Sequence, residues 1–201
     1  MKIYLVRHGI SVTNEKHMWT GQLDVELSEN GIRGIKAAKE KFEFPEGDVY
    51  VASPLKRCVQ TMELIYNRKP DFYINEFKEC SLGVLEGTAY TDLTDDTNYL
   101  NWQKYPDTIP FAEGESFNQF LERTHRGFEK VLDLAVEKKY NRVVIVLHGN
   151  VMRSILHGYA DPAIPHKEWK IPNAGVYELE VSGGRVVSYK AMPEFLFNNK
   201  Q

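Results

Sequence analysis

Hydrophobic residues occur along the chain in short uninterrupted runs, separated by longer stretches in which they recur at helical spacing. Runs at residues 3–6, 48–52 and 143–147 are almost wholly apolar, and a shorter run covers residues 72–74. Continuous apolar runs of this length are typical of strands whose two faces are both buried. The pattern therefore predicts a sheet with a parallel core.

Helical segments are expected between these runs. The first begins after Ser28, which is a favourable N-cap residue, and continues to about Phe42. The second begins at Ser53-Pro54, and proline is favoured at the first helical position, so we expect Pro54 to occupy it. A further helix is expected after the strand at residues 143–147.

The longest predicted helix follows the motif at residues 114–116 and is amphipathic. Its apolar positions repeat at three- and four-residue intervals and predict one buried face. These positions are Phe117, Phe120, Leu121, Thr124, Phe128, Val131, Leu132 and Ala135.

The chain ends in a different pattern, with two runs at residues 175–181 and 185–189 joined by Ser182-Gly183-Gly184, which predicts a hairpin. Elsewhere strands and helices alternate, which favours a three-layer α/β fold with a mostly parallel central sheet and helices on both faces. A length of 201 residues suits a single domain over residues 1–201. The irregular segment at about residues 83–114 is expected to form a small lid insertion.

Composition narrows the classes of function. The formal net charge of -3 gives no reason to expect binding to nucleic acid or to a membrane surface. The two cysteines, Cys58 and Cys80, lack metal-ligand spacing and are expected to be reduced thiols. No export signal or bilayer-spanning run is visible, so a cytoplasmic location is expected. The oligomeric state stays open, with a homodimer as one option.

Candidate chemistry lies where three predicted strands end. The first strand ends at Arg7-His8, the second runs into the segment that contains Arg57, and the strand at residues 143–147 ends at His148. Ligands of open α/β sheets bind at the carboxyl ends of the strands. Two imidazoles and two guanidinium groups are therefore expected to meet around one anion, and guanidinium geometry suits a phosphomonoester dianion.

This set of side chains suits phosphoryl transfer through a covalent intermediate. An imidazole nitrogen can attack phosphorus and form a phosphoramidate, provided that a backbone carbonyl holds the proton on the other nitrogen. The second imidazole would stabilise charge on the phosphoryl oxygens, and a carboxylic acid would protonate the leaving alkoxide. Gly9 would let the backbone pass close to the bound phosphate.

Several motifs resemble those of the histidine phosphatase superfamily, also called the phosphoglycerate mutase-like family. They occur in the family order and span nearly the whole chain. The motifs are Leu5-Val6-Arg7-His8-Gly9, Ser53-Pro54-Leu55-Lys56-Arg57 with Thr61, Glu79 four residues before Gly83, Glu86-Gly87, Gly114-Glu115-Ser116, and His148-Gly149.

The resemblance implies catalytic roles for five residues. His8 would be the nucleophile, Glu79 the proton donor, and Arg7, Arg57 and His148 the phosphate pocket. From the residues alone, Glu79 could instead be a surface residue.

The resemblance also implies substrate-binding positions. Asn14 matches an asparagine that contacts phosphate, although it could be only a turn residue. Thr20 and Gly21 match a loop that lines the pocket, and Gly149 follows the second histidine. The family works without a metal or an organic cofactor, and its substrate here would be a small-molecule phosphomonoester.

Two departures and one rival limit the match. Ile10 stands where many members have glutamate, and Asn150 follows Gly149, which excludes the branch whose acid is an aspartate just after the second histidine. Glu86 is a rival for the role of the acid.

Three functions remain open at this stage. Hydrolysis is favoured over the cofactor-dependent phosphoglycerate mutase reaction, because no arginine occurs between Arg68 and Arg123 and residues 88–111 hold one cation, Lys104, among several aspartates. A heavily charged bisphosphate would be repelled there. The small bacterial members of the family include α-ribazole phosphatases, and the chain resembles this small phosphatase branch. A non-catalytic phosphate-binding protein is the third alternative.

The aromatic residues of the expected lid allow two interpretations. They could pack the lid against the body, or they could stack on a ring-bearing leaving group such as a nucleoside or a sugar. These residues are Tyr90, Tyr99, Trp102 and Tyr105.

Overall fold

The computed structural model describes residues 1–92, 99–100, 110 and 112–193, and it confirms the predicted α/β class. The strands are β1 (Lys2–Arg7), β2 (Val49–Ala52), β3 (Phe72–Tyr73), β4 (Arg142–Leu147), β5 (Val176–Ser182) and β6 (Arg185–Met192). They form one sheet in the order β3-β2-β4-β1-β5-β6. The first four strands pair in parallel, and β5 and β6 add an antiparallel hairpin at one side.

The helices occupy the predicted places between the strands. They are α1 (Val12–Glu15), α2 (Glu29–Lys41), α3 (Lys56–Tyr66), α4 (Phe117–Lys138) and α5 (Gly149–Ile155), and α5 runs into a π-helical turn at Leu156–Ala160. Ser28 caps α2 as expected, with its hydroxyl accepting from the Gly31 amide. Ser116 caps α4 in the same way and forms a capping box with Gln119.

The prediction that Pro54 begins a helix is wrong. Helix α3 begins two residues later at Lys56, with Leu55 as an extended N-cap residue. The Ser53 amide still donates to the Val146 carbonyl at 3.0 Å. This bond continues the sheet ladder past β2 and delays the turn into the helix.

The alternating side chains of the central strands face two separate layers of helix. Ile3 and Leu5 of β1 belong to a core formed with α4 and α5, whereas Tyr4 and Val6 face α2 and α3. Helices thus cover both faces of the sheet, as predicted, and the site at its edge is supported from both sides.

Half of the residues of the expected lid fall outside the described ranges. Its described parts include a 3₁₀ turn at Gly83–Leu85, and the single domain with a lid at about residues 83–114 stays a prediction. Across the described ranges, no helix combines the length and the apolar character that crossing a bilayer requires.

Candidate active site

Two histidines meet at the carboxyl edge of the sheet. His8 directly follows β1 and His148 directly follows β4, and these two strands are parallel neighbours in which Arg7 pairs with Leu147. Their ring centroids lie 5.1 Å apart with the planes inclined at 65°. The predicted convergence of these two imidazoles is therefore present in the structure.

The ring of His8 is held in one tautomer. Its Nδ1 lies 2.6 Å from the Gly9 carbonyl, which can only accept, so the proton resides on Nδ1. The Nε2 atom then carries a lone pair, and it makes no hydrogen bond within the described part of the chain. Burial and the charges of Arg57 and Arg7 hold the pKa of His8 well below its ordinary value. The ring is neutral at physiological pH.

Gly9 has a packing role, and its expected approach to a bound phosphate stays a prediction. A Cβ atom at this position would lie 2.7 Å from Cδ1 of Ile35 and 3.3 Å from Cδ2 of Leu27. The absence of a side chain therefore lets α2 pack against the loop after β1. The Gly9 amide donates to the Thr61 hydroxyl at 3.0 Å, which fixes the loop that carries the His8 ring.

Arg57 is buried beside His148 and is only 1 % exposed. It donates from Nη1 to the Leu23 carbonyl at 2.7 Å and from Nη2 to the Gly21 carbonyl at 2.9 Å. Its Nε donates to Nδ1 of His148 at 3.2 Å. Three of its N–H groups are thus used within the protein, so its contact with phosphate stays a prediction.

His148 is fully buried, and both of its ring nitrogens face protein groups. Because Nδ1 accepts from Arg57, the proton lies on Nε2, which donates to the Ser53 hydroxyl at 2.8 Å. Burial and the nearby Arg57 charge keep the pKa of His148 well below its ordinary value. The ring is therefore a neutral, fixed neighbour of His8, and its predicted contact with phosphate is not tested by this geometry.

Arg7 presents an unused donor to the site. Its Nη1 donates to the Ile171 carbonyl, whereas Nε is buried with no hydrogen-bond partner in the described part of the chain. The Nε atom lies beside Gly149, where an added Cβ would approach it to 3.3 Å. Burial, with the neighbouring charge of Arg153, lowers the pKa of Arg7 to about 10, so the side chain stays cationic at neutral pH. An unpaired cationic donor of this kind is suited to an anion.

A cleft of about 370 Å³ opens beside these groups. Among the predicted site residues, those that line it are Arg7, Asn14, Thr20, Gly21, Glu79 and Gly149. His8, Arg57 and His148 are buried and are not among the residues that line the cleft. Charged side chains of both signs therefore share one small cleft.

The carboxylate of Glu79 is fixed by two backbone amides. Oε1 accepts from the Cys80 amide at 2.8 Å, and Oε2 accepts from the Asn150 amide of α5 at 3.3 Å. The rival acid Glu86 is occupied differently, since its Oε1 accepts from the amides of Gln22 (2.8 Å) and Leu82 (3.0 Å). Glu79 is thus the acid that lines the cleft, whereas Glu86 joins two loops.

Asn14 caps helix α1 and lines the cleft, and its contact with phosphate stays a prediction. Its side chain accepts from the Ser11 amide at 3.3 Å and so completes the capping box of α1. Its Nδ2 donates to the Thr20 hydroxyl at 3.4 Å, and both residues line the cleft. Asn14 is therefore a cap residue that also faces the site.

Sequence reasoning missed Arg153 as a site residue. This side chain lines the cleft and donates from Nε to the Trp169 carbonyl and from Nη1 to Oδ1 of Asn150, both at 3.1 Å. It follows Gly149 by four residues on α5, so both positions share one helix face. Since the sequence already assigns Gly149 to the site, its four-residue spacing to Arg153 on one helix could have identified Arg153 as a site residue.

The lid aromatics divide between the two interpretations. Tyr90 lines the cleft and contacts Trp19, another lining residue, with ring centroids 4.8 Å apart. Tyr99 is buried and packs with Leu85 in a small core cluster. Trp102 and Tyr105 lie outside the described residues.

Comparisons with known proteins place this geometry in a family. Residues 3–191 match the model of the histidine phosphatase superfamily (branch 1). An uncharacterized phosphatase of Bacillus subtilis is 31% identical over 77% of this chain and 75% of its own. A 2,3-bisphosphoglycerate-dependent phosphoglycerate mutase of Neisseria meningitidis is 25% identical over 90% of this chain and 95% of its own.

A solved structure supports the fold. The α-ribazole phosphatase of Shigella flexneri superposes with a TM-score of 0.79 at 21% identity, and the match covers 94% of this chain and 95% of that one.

Proposed function

The chain belongs to branch 1 of the histidine phosphatase superfamily, and on that premise we propose that it hydrolyses a small phosphomonoester through a phosphohistidine on His8. The observation that carries the proposal is the bond from Nδ1 of His8 to the Gly9 carbonyl. It leaves Nε2 unprotonated, as a nucleophile must be, and the low pKa of the ring keeps it so.

In the first step Nε2 of His8 attacks phosphorus and forms an N–P bond, while the ester P–O bond breaks. The leaving alkoxide takes a proton from the Glu79 carboxyl group, and Arg7 holds the phosphoryl oxygens with its unused Nε donor. In the second step the Glu79 carboxylate removes a proton from water, which attacks phosphorus. The N–P bond breaks and phosphate leaves.

The proposed reaction needs no metal ion. Guanidinium groups supply the positive charge that a metal ion would otherwise bring to the phosphoryl oxygens. Arg7 and Arg153 supply it at the surface of the cleft. In the described ranges, no three or more His, Cys, Asp or Glu side chains are grouped so that they could hold a metal ion.

The substrate is proposed to be a small metabolite. The cleft volume of about 370 Å³ suits a compact phosphomonoester, and the contact between Trp19 and Tyr90 provides an aromatic wall for a sugar or a base. The single domain with a lid insertion at about residues 83–114 stays a prediction, and Tyr90 of that segment forms part of this wall.

Mutase activity is the second candidate, and Arg153 is the observation that favours it. This second guanidinium beside Arg7 suits a substrate with an additional anionic group. Conversion of 3-phosphoglycerate to 2-phosphoglycerate would identify a mutase, whereas release of phosphate identifies the hydrolase. A non-catalytic protein would release no phosphate from any compound.

A panel of phosphomonoesters, assayed by released phosphate in the presence of a chelator, tests the proposal. We expect turnover without added metal and a loss of at least about 10³-fold in the His8→Ala variant, as for removal of other catalytic nucleophiles. Strict dependence on a divalent ion, or an active His8→Ala variant, would contradict the mechanism.

A further inference from the structure

The segment that carries Glu79 lies outside the sheet and outside every α-helix of the described chain. It connects the 3₁₀ turns at Asn75–Phe77 and Gly83–Leu85. Strand pairing, which fixes His8 and His148, does not hold this segment. The position of the Glu79 side chain therefore depends on contacts from other parts of the molecule.

The Cys80 and Asn150 amides hold the carboxylate itself, and Arg123 of α4 holds the backbone of the segment at three carbonyls. It donates from Nη1 to the carbonyls of Glu76 (2.7 Å) and Lys78 (2.9 Å). It also donates from Nη2 to the Glu79 carbonyl at 3.2 Å. Its Nε and its remaining Nη2 hydrogen go to the two carboxylate oxygens of Glu115. All the N–H groups of this guanidinium thus donate either to backbone carbonyls of residues 76–79 or to the carboxylate of Glu115.

Helix α4 comes close enough for these bonds because of Gly127. This residue lies one turn after Arg123 on the same face of the helix. A Cβ atom at Gly127 would lie 2.7 Å from Cβ of Glu76 and 3.0 Å from the ring of Phe77. The helix backbone therefore rests directly on the turn that precedes Glu79.

Two further bonds hold the same segment. Glu115 accepts from the Ser81 amide at 2.8 Å. The Arg123–Glu115 pair therefore makes hydrogen bonds to the backbone both before and after Glu79. From the loop that follows α1, Nε2 of Gln22 donates to the Glu79 carbonyl at 3.1 Å. The motif Gly114-Glu115-Ser116 thus gains a role beyond capping α4.

We propose that Arg123, oriented by Glu115, is a positioning residue that holds the carboxyl group of Glu79 at the cleft for proton transfer to the leaving group. The inference rests on the proposed function, because it assigns Arg123 to the same reaction. Arg123 touches neither substrate nor the reacting atoms, and it acts only through the backbone of residues 76–79.

This role has a signature that a general loss of stability lacks. Protonation of the leaving oxygen matters greatly for an alkyl phosphate, whose alkoxide is a poor leaving group. It matters little for p-nitrophenyl phosphate, whose phenolate leaves readily without a proton. A displaced acid therefore slows alkyl substrates selectively, since proton transfer requires hydrogen-bond reach.

The test compares kcat/KM for p-nitrophenyl phosphate and for an alkyl phosphate that the wild type hydrolyses. Removing a general acid costs about 10²–10⁴-fold, so Glu79→Gln should lose about 10²-fold or more on the alkyl substrate and under about tenfold on the aryl one. Arg123→Met should show the same selectivity with a smaller loss, about 30-fold against about threefold. In the Glu79→Gln background, Arg123→Met should add no further selectivity.

Lys130→Met is the matched control. Lys130 pairs with Glu76 from the same face of α4, but it is more than half exposed and makes no contact with residue 79. We expect less than about a twofold change on either substrate, as for other exposed ion pairs.

Two outcomes would overturn the inference. Equal losses on both substrates in Arg123→Met would indicate a structural role only, and Arg123→Lys, which keeps the charge, supplies the same readout if Arg123→Met does not fold. Absence of selectivity in Glu79→Gln would reject Glu79 as the acid and the positioning role with it. Selectivity in Glu79→Gln but not in either Arg123 variant would reject the positioning role alone.

Discussion

The histidine pocket and the Glu79 segment reach the same cleft by different means. The pocket lies at the ends of β1 and β4, where the pairing of Arg7 with Leu147 sets the positions of His8 and His148. The Glu79 segment has no such ladder and is held by side chains from elsewhere. The proposed nucleophile is therefore positioned by the sheet, whereas the proposed acid is positioned by contacts that single substitutions can remove.

Apart from His8→Ala, Arg57→Met should produce the largest combined effect on activity and stability, and it removes no bond that the Glu79 side chain makes. It leaves the Gly21 and Leu23 carbonyls and Nδ1 of His148 without their donor. We expect about a 10²-fold loss of kcat/KM and about 3 kcal/mol of lost unfolding free energy. Steady-state kinetics and urea denaturation measure both.

The loss of activity in Arg57→Met should be equal for aryl and alkyl phosphates, because the pocket serves every substrate alike. A loss confined to alkyl phosphates would mean that the two regions are coupled, and it would contradict the comparison.

The pocket could be predicted from the sequence because its parts follow strand ends. Apolar runs before His8 and His148 identified two buried strands, and parallel neighbours bring their carboxyl ends together. The N-cap residue Ser28 marked the start of α2 for an equally local reason.

The contacts of the acid could not be predicted, because they join residues far apart in the chain. Nothing in the local pattern around Arg123 indicates that it reaches the carbonyls of residues 76–79. The start of α3 at Lys56 depended on a ladder bond between Ser53 and Val146, which is also a tertiary feature.

Stability should fall in acid because of the pocket. The pKa values of His8 and His148 lie well below 6.5 in the folded state, since burial and Arg57 disfavour their charged forms. The unfolded chain binds these protons near pH 6.5, so it gains protons that the folded chain does not. Above this pH the contribution of each neutral ring to the free energy of unfolding is fully present. As the pH falls below it, the free energy of unfolding decreases by up to about 1.4 kcal/mol per pH unit for each ring.

Urea denaturation between pH 7.5 and about pH 5 would measure this loss. His8→Asn, which removes one ring, should lose less stability than wild type over the same range. His17→Asn is the control, because His17 is exposed and asparagine tolerates its positive φ of 53°. An equal pH dependence in wild type and His8→Asn would contradict a buried neutral His8.

A pair of glycine substitutions should have the smallest effect on the free energy of unfolding, and it probes the packing of α4 against the segment before Glu79. Gly127→Ala would push Cβ against Glu76 and Phe77, and we expect it to cost about 1–3 kcal/mol. Gly34→Ala in α2 meets open space and should stabilise by up to about 1 kcal/mol. Thermal or urea unfolding compares the two, and equal stabilisation would show that α4 does not rest on the segment before Glu79.

Mapping of the phosphoryl group after rapid mixing with substrate tests the central claim most directly. An alkaline quench within milliseconds preserves an acid-labile phosphoramidate, and peptide mass spectrometry then locates it. The account predicts phosphate on His8 of the wild-type protein and none at that position in His8→Ala. Phosphate on another residue, or a burst of product with no phosphorylated protein, would contradict it.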